Sequence, residues 1–409
     1  MRVSRCYAFS SYLAGAVTAR AGDEMAGLAL MLAGLAATGS PTVASSLLAG
    51  ATISSAVGGP VLGALLDRAR RPGRLLAWAL ALYAVGLGLV LAALGRAPIG
   101  VSLALATCAG LLGPALSGGW TAQLPRVVAP GRLARASALD AMTFSAASLA
   151  GPALAGSVAA LFGASQAVVV ALVLVSLAAP AAWRLPAQLA RPEASQDAGS
   201  LTSIGADLVA GIRFIAANGP LARATGASVL SCCAEGMWTA AVPILGERAL
   251  GGAGHGALLL SCVAVAALIA NTVVARFPSA MRPDTYIWLG AVAQAGAMAL
   301  AAMERPAELV VAAVMVGVGA GPQLTAVFAV RHREAPDALR GQIFTTGASL
   351  KLTAFALGAA VCGPIATRSL AAALVAAAVL AGIAALIYAA KVPFPASVRR
   401  RRDRSSPDA

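Results

Sequence analysis

Five charged side chains stand where the surrounding sequence is apolar. Arg20, Asp23 and Glu24 lie in one run, Glu235 in a second and Lys351 in a third. A charge at the centre of a bilayer costs about 2.5–3.5 kcal/mol on insertion scales, so such residues tend to pair, bind an ion or bind a substrate. Arg20 and Glu24 are four apart on one helix face, and Arg20 and Asp23 are three apart, so either carboxylate is an expected partner for the arginine. Asp23, Glu24 and Glu235 are the candidates for holding a proton or a cationic group of a substrate. Lys351 can serve as counter-charge to Glu235 or bind an anionic group. The plainer alternative is a structural charge cluster at a break in the first helix.

The elements that must carry these charges are membrane spans. The 409 residues are 59% hydrophobic and 11% charged, with mean hydropathy +0.82. Soluble chains carry about 25% charge, and so much apolar surface needs lipid as solvent. The abundance of Ala and Gly suits closely approaching membrane helices. A span needs about 20 apolar residues, and twelve such segments are predicted, over 12–37, 43–66, 74–94, 98–122, 138–162, 165–184, 221–246, 255–277, 285–303, 308–330, 341–366 and 369–390. The fold class expected is therefore an all-α integral membrane protein of 12 transmembrane helices.

The cations are distributed unevenly. With the N-terminus inside, 24 of the 30 basic residues fall in inner turns or the tail, and only Arg96, Arg248, Arg305 and Arg368 fall outside. That asymmetry predicts both termini on the cytoplasmic face. The net charge of +14 does not indicate nucleic acid, because it is confined to short turns and a tail. The cysteines form no C-x-x-C pair, and no His/Cys/Asp cluster has metal spacing. No Ser-His-Asp order or phosphate-cradling glycine loop stands out either, so neither an enzyme nor a metal nor any other cofactor is expected. His255 and His332 border turns and are expected to be solvated. Asn271, Gln294 and Gln323 are polar residues in spans, explained as well by helix–helix hydrogen bonds as by a site. The start of the chain reads as the first helix, with no small-residue cleavage site.

Residues 186–220 break the pattern. Pro186, Pro192, Glu193, Ser195, Asp197 and Gly199 have the composition of a linker, and 204–215 alternates at helical spacing, as an amphipathic helix on the inner membrane face would. The chain divides into a bundle over 1–185, the linker over 186–220, a second bundle over 221–390 and a basic tail over 391–409. An internal repeat agrees. Asp23-Glu24-Met25 aligns with Glu235-Gly236-Met237, and Gly151-Pro152 with Gly363-Pro364, both at an offset of 212. Gly113-Pro114 resembles Gly321-Pro322 at an offset of 208.

Gly63-Ala64-Leu65-Leu66-Asp67-Arg68-Ala69-Arg70-Arg71 lies between spans 2 and 3. Its spacing, G-x-L-x-D-R-x-x-R, resembles the signature loop of the major facilitator superfamily of transporters. The resemblance implies two pseudo-symmetric six-helix bundles, with spans 1, 7 and 11 lining a central cavity. It also implies that Gly63, Asp67, Arg68 and Arg71 form a charge network at the inner face, a latch on one conformation. The corresponding loop of the second half keeps only Arg276, Arg282 and Asp284. In span 5, Gly151, Pro152 and Gly156 resemble part of the g-x-x-x-G-P-x-x-G-G stretch of the family's exporters, with Ala147 and Ala155 where that pattern has Gly. Asp140, where span 5 begins, is expected to act as a helix-start charge or inner-gate partner near Arg132 and Arg135. Span 4 lacks the Arg and the Gln-Gly of proton-driven drug exporters. The turns at 124–136 and 334–342 resemble a bacterial branch that includes siderophore and macrolide exporters.

The resemblance implies a secondary transporter in a bacterial inner membrane, a monomer surrounded by the lipid bilayer. It would export a small organic molecule by alternating access, with protons as coupling ion and with no nucleic-acid partner. An importer or facilitator on the same fold is the alternative, and a non-transporting sensor or scaffold is the alternative of another class.

Overall fold

The computed structural model describes residues 2–187, 201–251, 253–278 and 280–389. Among them the chain is helical throughout, with no strand. The first half runs α1 (Arg2–Thr38), α2 (Pro41–Arg68), α3 (Pro72–Ala93), α4 (Ile99–Gly110), a π-helical segment (Ala115–Gly119), the short α5 (Leu124–Val127), a 3-10 turn (Pro130–Arg132), α6 (Leu133–Phe162) and α7 (Ala164–Trp183). The second begins with α8 (Leu201–Ala217) and continues through α9 (Gly219–Ala249), α10 (Ala253–Arg276), α11 (Pro283–Ala301), α12 (Pro306–Glu334), α13 (Arg340–Ala366) and α14 (Leu370–Ala389). The tail and residues 188–200 of the linker lie outside the described residues, including Pro192, Glu193, Ser195, Asp197 and Lys391.

Among the described residues ten helices are long and apolar enough to cross a membrane. The two remaining long helices are diluted by polar groups: α1 by Arg20, Asp23 and Glu24, and α11 by Asp284 and Gln294. With them the architecture is the expected 12-helix membrane fold. The outer faces leave Ile53, Val57, Leu177 and Leu386 more than 60% exposed. Apolar surface of this extent requires acyl chains around it.

The two halves pack alike. In the first, α1 packs on α6 and α7, α3 on α7, and α2 on α4; in the second, α9 packs on α13 and α14, α11 on α14, and α10 on α12. The seams between halves are α2 with α13 and α6 with α10, which exchange under the same correspondence. Small residues set these seams. A Cβ on Gly59 would overlap Ser349, and one on Gly63 would overlap Thr345 and the backbone of Gln342.

Span 4 departs from the uninterrupted helix expected over 98–122. It stops at Gly110 and restarts through the π segment after Pro114. Proline removes a ladder donor, and the wider π turn accommodates the defect. The segment that follows delivers Trp120 and Thr121 to α1, where the Trp120 indole N–H donates to the Tyr12 carbonyl at 3.3 Å. Helix α8 covers 204–215, where an amphipathic helix was expected. It packs against α2, α9 and α13, with Ile215 buried and Val209 and Ile212 exposed.

Candidate functional site

Three polar constellations sit within the helices. The first corrects the expected pairing of Arg20. Its guanidinium does not meet Asp23 or Glu24. It lies 2.9 Å from the carboxylate of Asp140 on α6, with both side chains at most 2% exposed. It also donates to Thr121 at 2.8 Å, to the Asp140 carbonyl at 2.9 Å and to Thr143, and it stacks over the Phe144 ring at 3.7 Å. The Tyr12 hydroxyl and the Thr121 hydroxyl each donate to Asp140 at 2.9 Å. Asp140 is thus the buried centre of a network joining α1, α6 and the segment after the π turn, where a helix-start charge or inner-gate partner near Arg132 and Arg135 was expected. A pair 120 residues apart leaves no local spacing to read.

The second constellation repeats across the halves. Asp23, half-buried on α1, accepts from the Tyr83 hydroxyl of α3 at 2.7 Å. Glu235, half-buried on α9, accepts from the Gln294 amide of α11 at 3.0 Å. The carboxylates are 212 positions apart and the donors 211, so each first span carries an acid held by a donor from the third span of its own half. Gln294 also donates to Gln323 at 3.2 Å, and Gln323 donates to Ser231 at 3.1 Å. The Cys232 thiol is 3.9 Å from Glu235, and Lys351 acts electrostatically on both. Glu24 is exposed and makes no hydrogen bond or ion pair among the described residues. Tyr83 carried no signal by itself; the repeat offset, extended to polar residues in spans, would have found it with Gln294. Asn271 accepts from Thr325 at 2.9 Å, a helix–helix bond between α10 and α12.

The third is the loop. Asp67 does not pair with the arginines beside it. Its two carboxylate oxygens accept the backbone N–H groups of Gly341 and Gln342 at 2.7 and 2.8 Å, at the start of α13 in the other half. Unpaired N–H groups and the helix dipole make that end an anion site. Gly63 lets α2 approach α13 there, and Arg71 is exposed at the start of α3. Arg126 and Arg340 act on Asp67 from nearby, and burial together with Arg340 holds Arg126 below its ordinary pKa. Further along the same seam Ser349 donates to the Ser55 carbonyl, and Phe144, Phe328 and Phe344 pack in a tilted row with centroids 5.7 and 5.9 Å apart. His332 is buried against Phe344 at 4.5 Å, contrary to the solvated turn expected, and Arg331 is 1% exposed. His255 is exposed.

The span 5 glycines divide. A Cβ on Gly151 would meet Glu24 at 2.6 Å, so α1 and α6 touch there, whereas Gly156 has open space beside it. Pro152 lies inside α6, which runs on to Phe162.

A twelve-helix membrane fold made of two alike halves is an architecture that membrane transporters use. The sequence profile described as Major Facilitator Superfamily matches residues 12–350, and the chain belongs to that superfamily. It is 27% identical over 387 residues to the uncharacterized MFS-type transporter y4rN of Sinorhizobium fredii, covering 93% of this chain and 92% of that one. Among solved structures it resembles the human organic anion transporter MFSD10 at a TM-score of 0.72 and 16% identity, over 94% and 99% of the two chains. A bacterial homologue of the iron transporter ferroportin in an outward-facing state gives 0.72 and 16%, over 93% and 99%. The E. coli fucose:proton symporter FucP gives 0.69 and 15%, over 94% and 98%. At such identities the likeness is one of fold.

Proposed function

We propose that this transporter exports a small organic molecule, a drug or a secreted metabolite, by alternating access driven by proton antiport. It acts as a monomer in a bacterial inner membrane with both termini cytoplasmic. The bundles over 1–185 and 221–390 are the moving bodies, and Asp67 with the α13 N-terminus is the latch on the cytoplasmic side. The carrying observation is the matched pair of acids, Asp23 held by Tyr83 and Glu235 held by Gln294.

The coupling follows from which helix each group sits on. Ionised Glu235 on α9 attracts Lys351 on α13. Protonation removes that attraction and loosens α9 from α13. The same α13 offers its first N–H groups to Asp67, so a change at Glu235 biases the latch some turns away. Asp23 and Glu24 form the proton- or cation-binding counterpart in the first half.

Accumulation of a broad panel of dyes and drugs, in cells with and without the protein, tests the reading. Export predicts several-fold lower accumulation with the protein, lost when the proton gradient is collapsed. Glu235→Gln and Asp23→Asn should reach the membrane and fail to export. Unchanged transport by both variants removes these acids from coupling, and equal accumulation across the panel removes export.

A further inference from the structure

Arg331 is 1% exposed near the end of α12, and among the described residues it has no ion-pair partner. Its Nε and Nη2 find no acceptor. Those two atoms form one edge of the guanidinium, the edge that grips a carboxylate with two parallel hydrogen bonds. The side chain lies flat on α13 because residue 347 is glycine, where a Cβ would overlap it. One turn further along the same face of α13 stands Lys351. Cys232 on α9 feels both cations. Around Cys232, then, stand two cations and one acid, Glu235, which leaves one positive charge uncompensated. A guanidinium does not shed its proton to relieve burial, so an anionic group is what this set of side chains would take.

We infer that the transported molecule carries an anionic group of carboxylate type, and that Arg331 and Lys351 hold that group beside Cys232 in the second half. The inference rests on reading the intramembrane polar clusters as the transport site, and it adds the charge class of the cargo. In the latched state Arg331 is sealed behind Phe344, 5.9 Å from its guanidinium. Release of α13 from Asp67 opens the same end and uncovers the edge.

The test uses the purified full-length protein in detergent and follows its Tm with benzoate and naphthoate, each against its neutral amide, and with chloride. The carboxylates should raise Tm and the amides should not. Arg331→Gln should fold with a Tm equal to or above wild type, because a buried unpaired charge is removed. It should need about tenfold or more carboxylate for half the effect. Lys351→Gln should weaken the response in the same direction. Arg333→Gln, an exposed cation two residues on, should leave it unchanged. An amide response equal to the carboxylate's, or a response to chloride alone, overturns the inference. So does an Arg331→Gln variant of lowered Tm and intact carboxylate response, which would make Arg331 structural. No gradient is present in this assay, so failure of export leaves the result standing, and failure here leaves export of neutral or cationic molecules standing.

Discussion

Arg20 in the first half and Arg331 in the second are both buried guanidiniums, yet only the first has a counter-ion among the described residues. Arg20 meets Asp140, Thr121 and Thr143, and the network is closed by Tyr12. Arg331 meets an aromatic ring and a glycine. The acids are arranged more evenly, each half having one that is held by a donor from its own third span. The halves therefore share a scaffold and a carboxylate position but differ in the charge left over. In the first half the arginine is spent on Asp140, and Asp23 and Glu24 remain as acids without a cation. In the second a cation remains. A transporter built from a repeat can divide binding between its halves in this way, with one half taking protons or cations and the other holding an anion.

The largest effect expected comes from opening the closed network. Asp140→Ala strands Arg20 without its counter-ion, and breaking one side of a buried pair costs about 3–5 kcal/mol. Little folded protein should survive mild heating, read by size-exclusion chromatography. The double variant Arg20→Met with Asp140→Leu should recover most of that loss, since an apolar pair of similar volume is often neutral. Failure of the double variant would mean that the network also serves transport, and the contrast with Arg331 would narrow.

Asp67→Asn comes next. It removes the charge and one of two acceptors at the α13 N-terminus, where a hydrogen bond to a charged group contributes about 1.5–3 kcal/mol. That corresponds to roughly a ten- to hundredfold shift toward the state open at the basic end. Thr345 is fully buried beside this contact. A Thr345→Cys probe should react slowly with a maleimide in the latched protein and markedly faster with Asp67→Asn present. Equal rates would mean that the aromatic stack, not Asp67, holds this end.

A glycine contrast follows. Gly151 and Gly363 align in the repeat, but Gly151 touches Glu24 whereas Gly363 has nothing within 4 Å. In the second half the tight contacts come from both helices of the seam, Gly236 of α9 against the Phe355 carbonyl and Gly358 of α13 against the Cys233 carbonyl. Position 236 is the repeat mate of Glu24, so the second half adds a glycine on the α9 side where the first half has an acid on α1. Gly151→Ala should cost about 1–3 kcal/mol by overpacking, and Gly363→Ala should stay within about 0.5 kcal/mol. Thermal midpoints of the two variants decide it.

Much of the fold was legible because membrane spans write themselves as long apolar runs, and the Gly-Pro and acid matches exposed the repeat. Gly63 and Asp67 could be singled out by spacing, and Asp23 and Glu235 by their cost in lipid. What stayed hidden has physical reasons. Asp67 binds backbone N–H groups, which no residue type announces. Arg20 has two acids within a helical turn, and only three-dimensional packing shows that α6 reaches it first. Arg331 sits in a run of charges that reads as an inner turn, because α12 extends four residues beyond the predicted span, to Glu334.

The finest distinction is between the two donors. Tyr83→Phe and Gln294→Leu each delete one hydrogen bond to an intramembrane acid. Such bonds average about 0.6 kcal/mol in membranes, so transport should fall about threefold in each if the acids have equal parts. The second half gives a reason for inequality. Gln294 also bonds Gln323, which bonds Ser231, so its loss frees a chain of amides as well as Glu235. Glu235 moreover has Lys351 to attract, whereas Asp23 has Arg20 already occupied elsewhere. A larger loss for Gln294→Leu would place the coupling in the half whose helix meets the latch. A larger loss for Tyr83→Phe would move it to Asp23 and leave the second half to bind cargo alone.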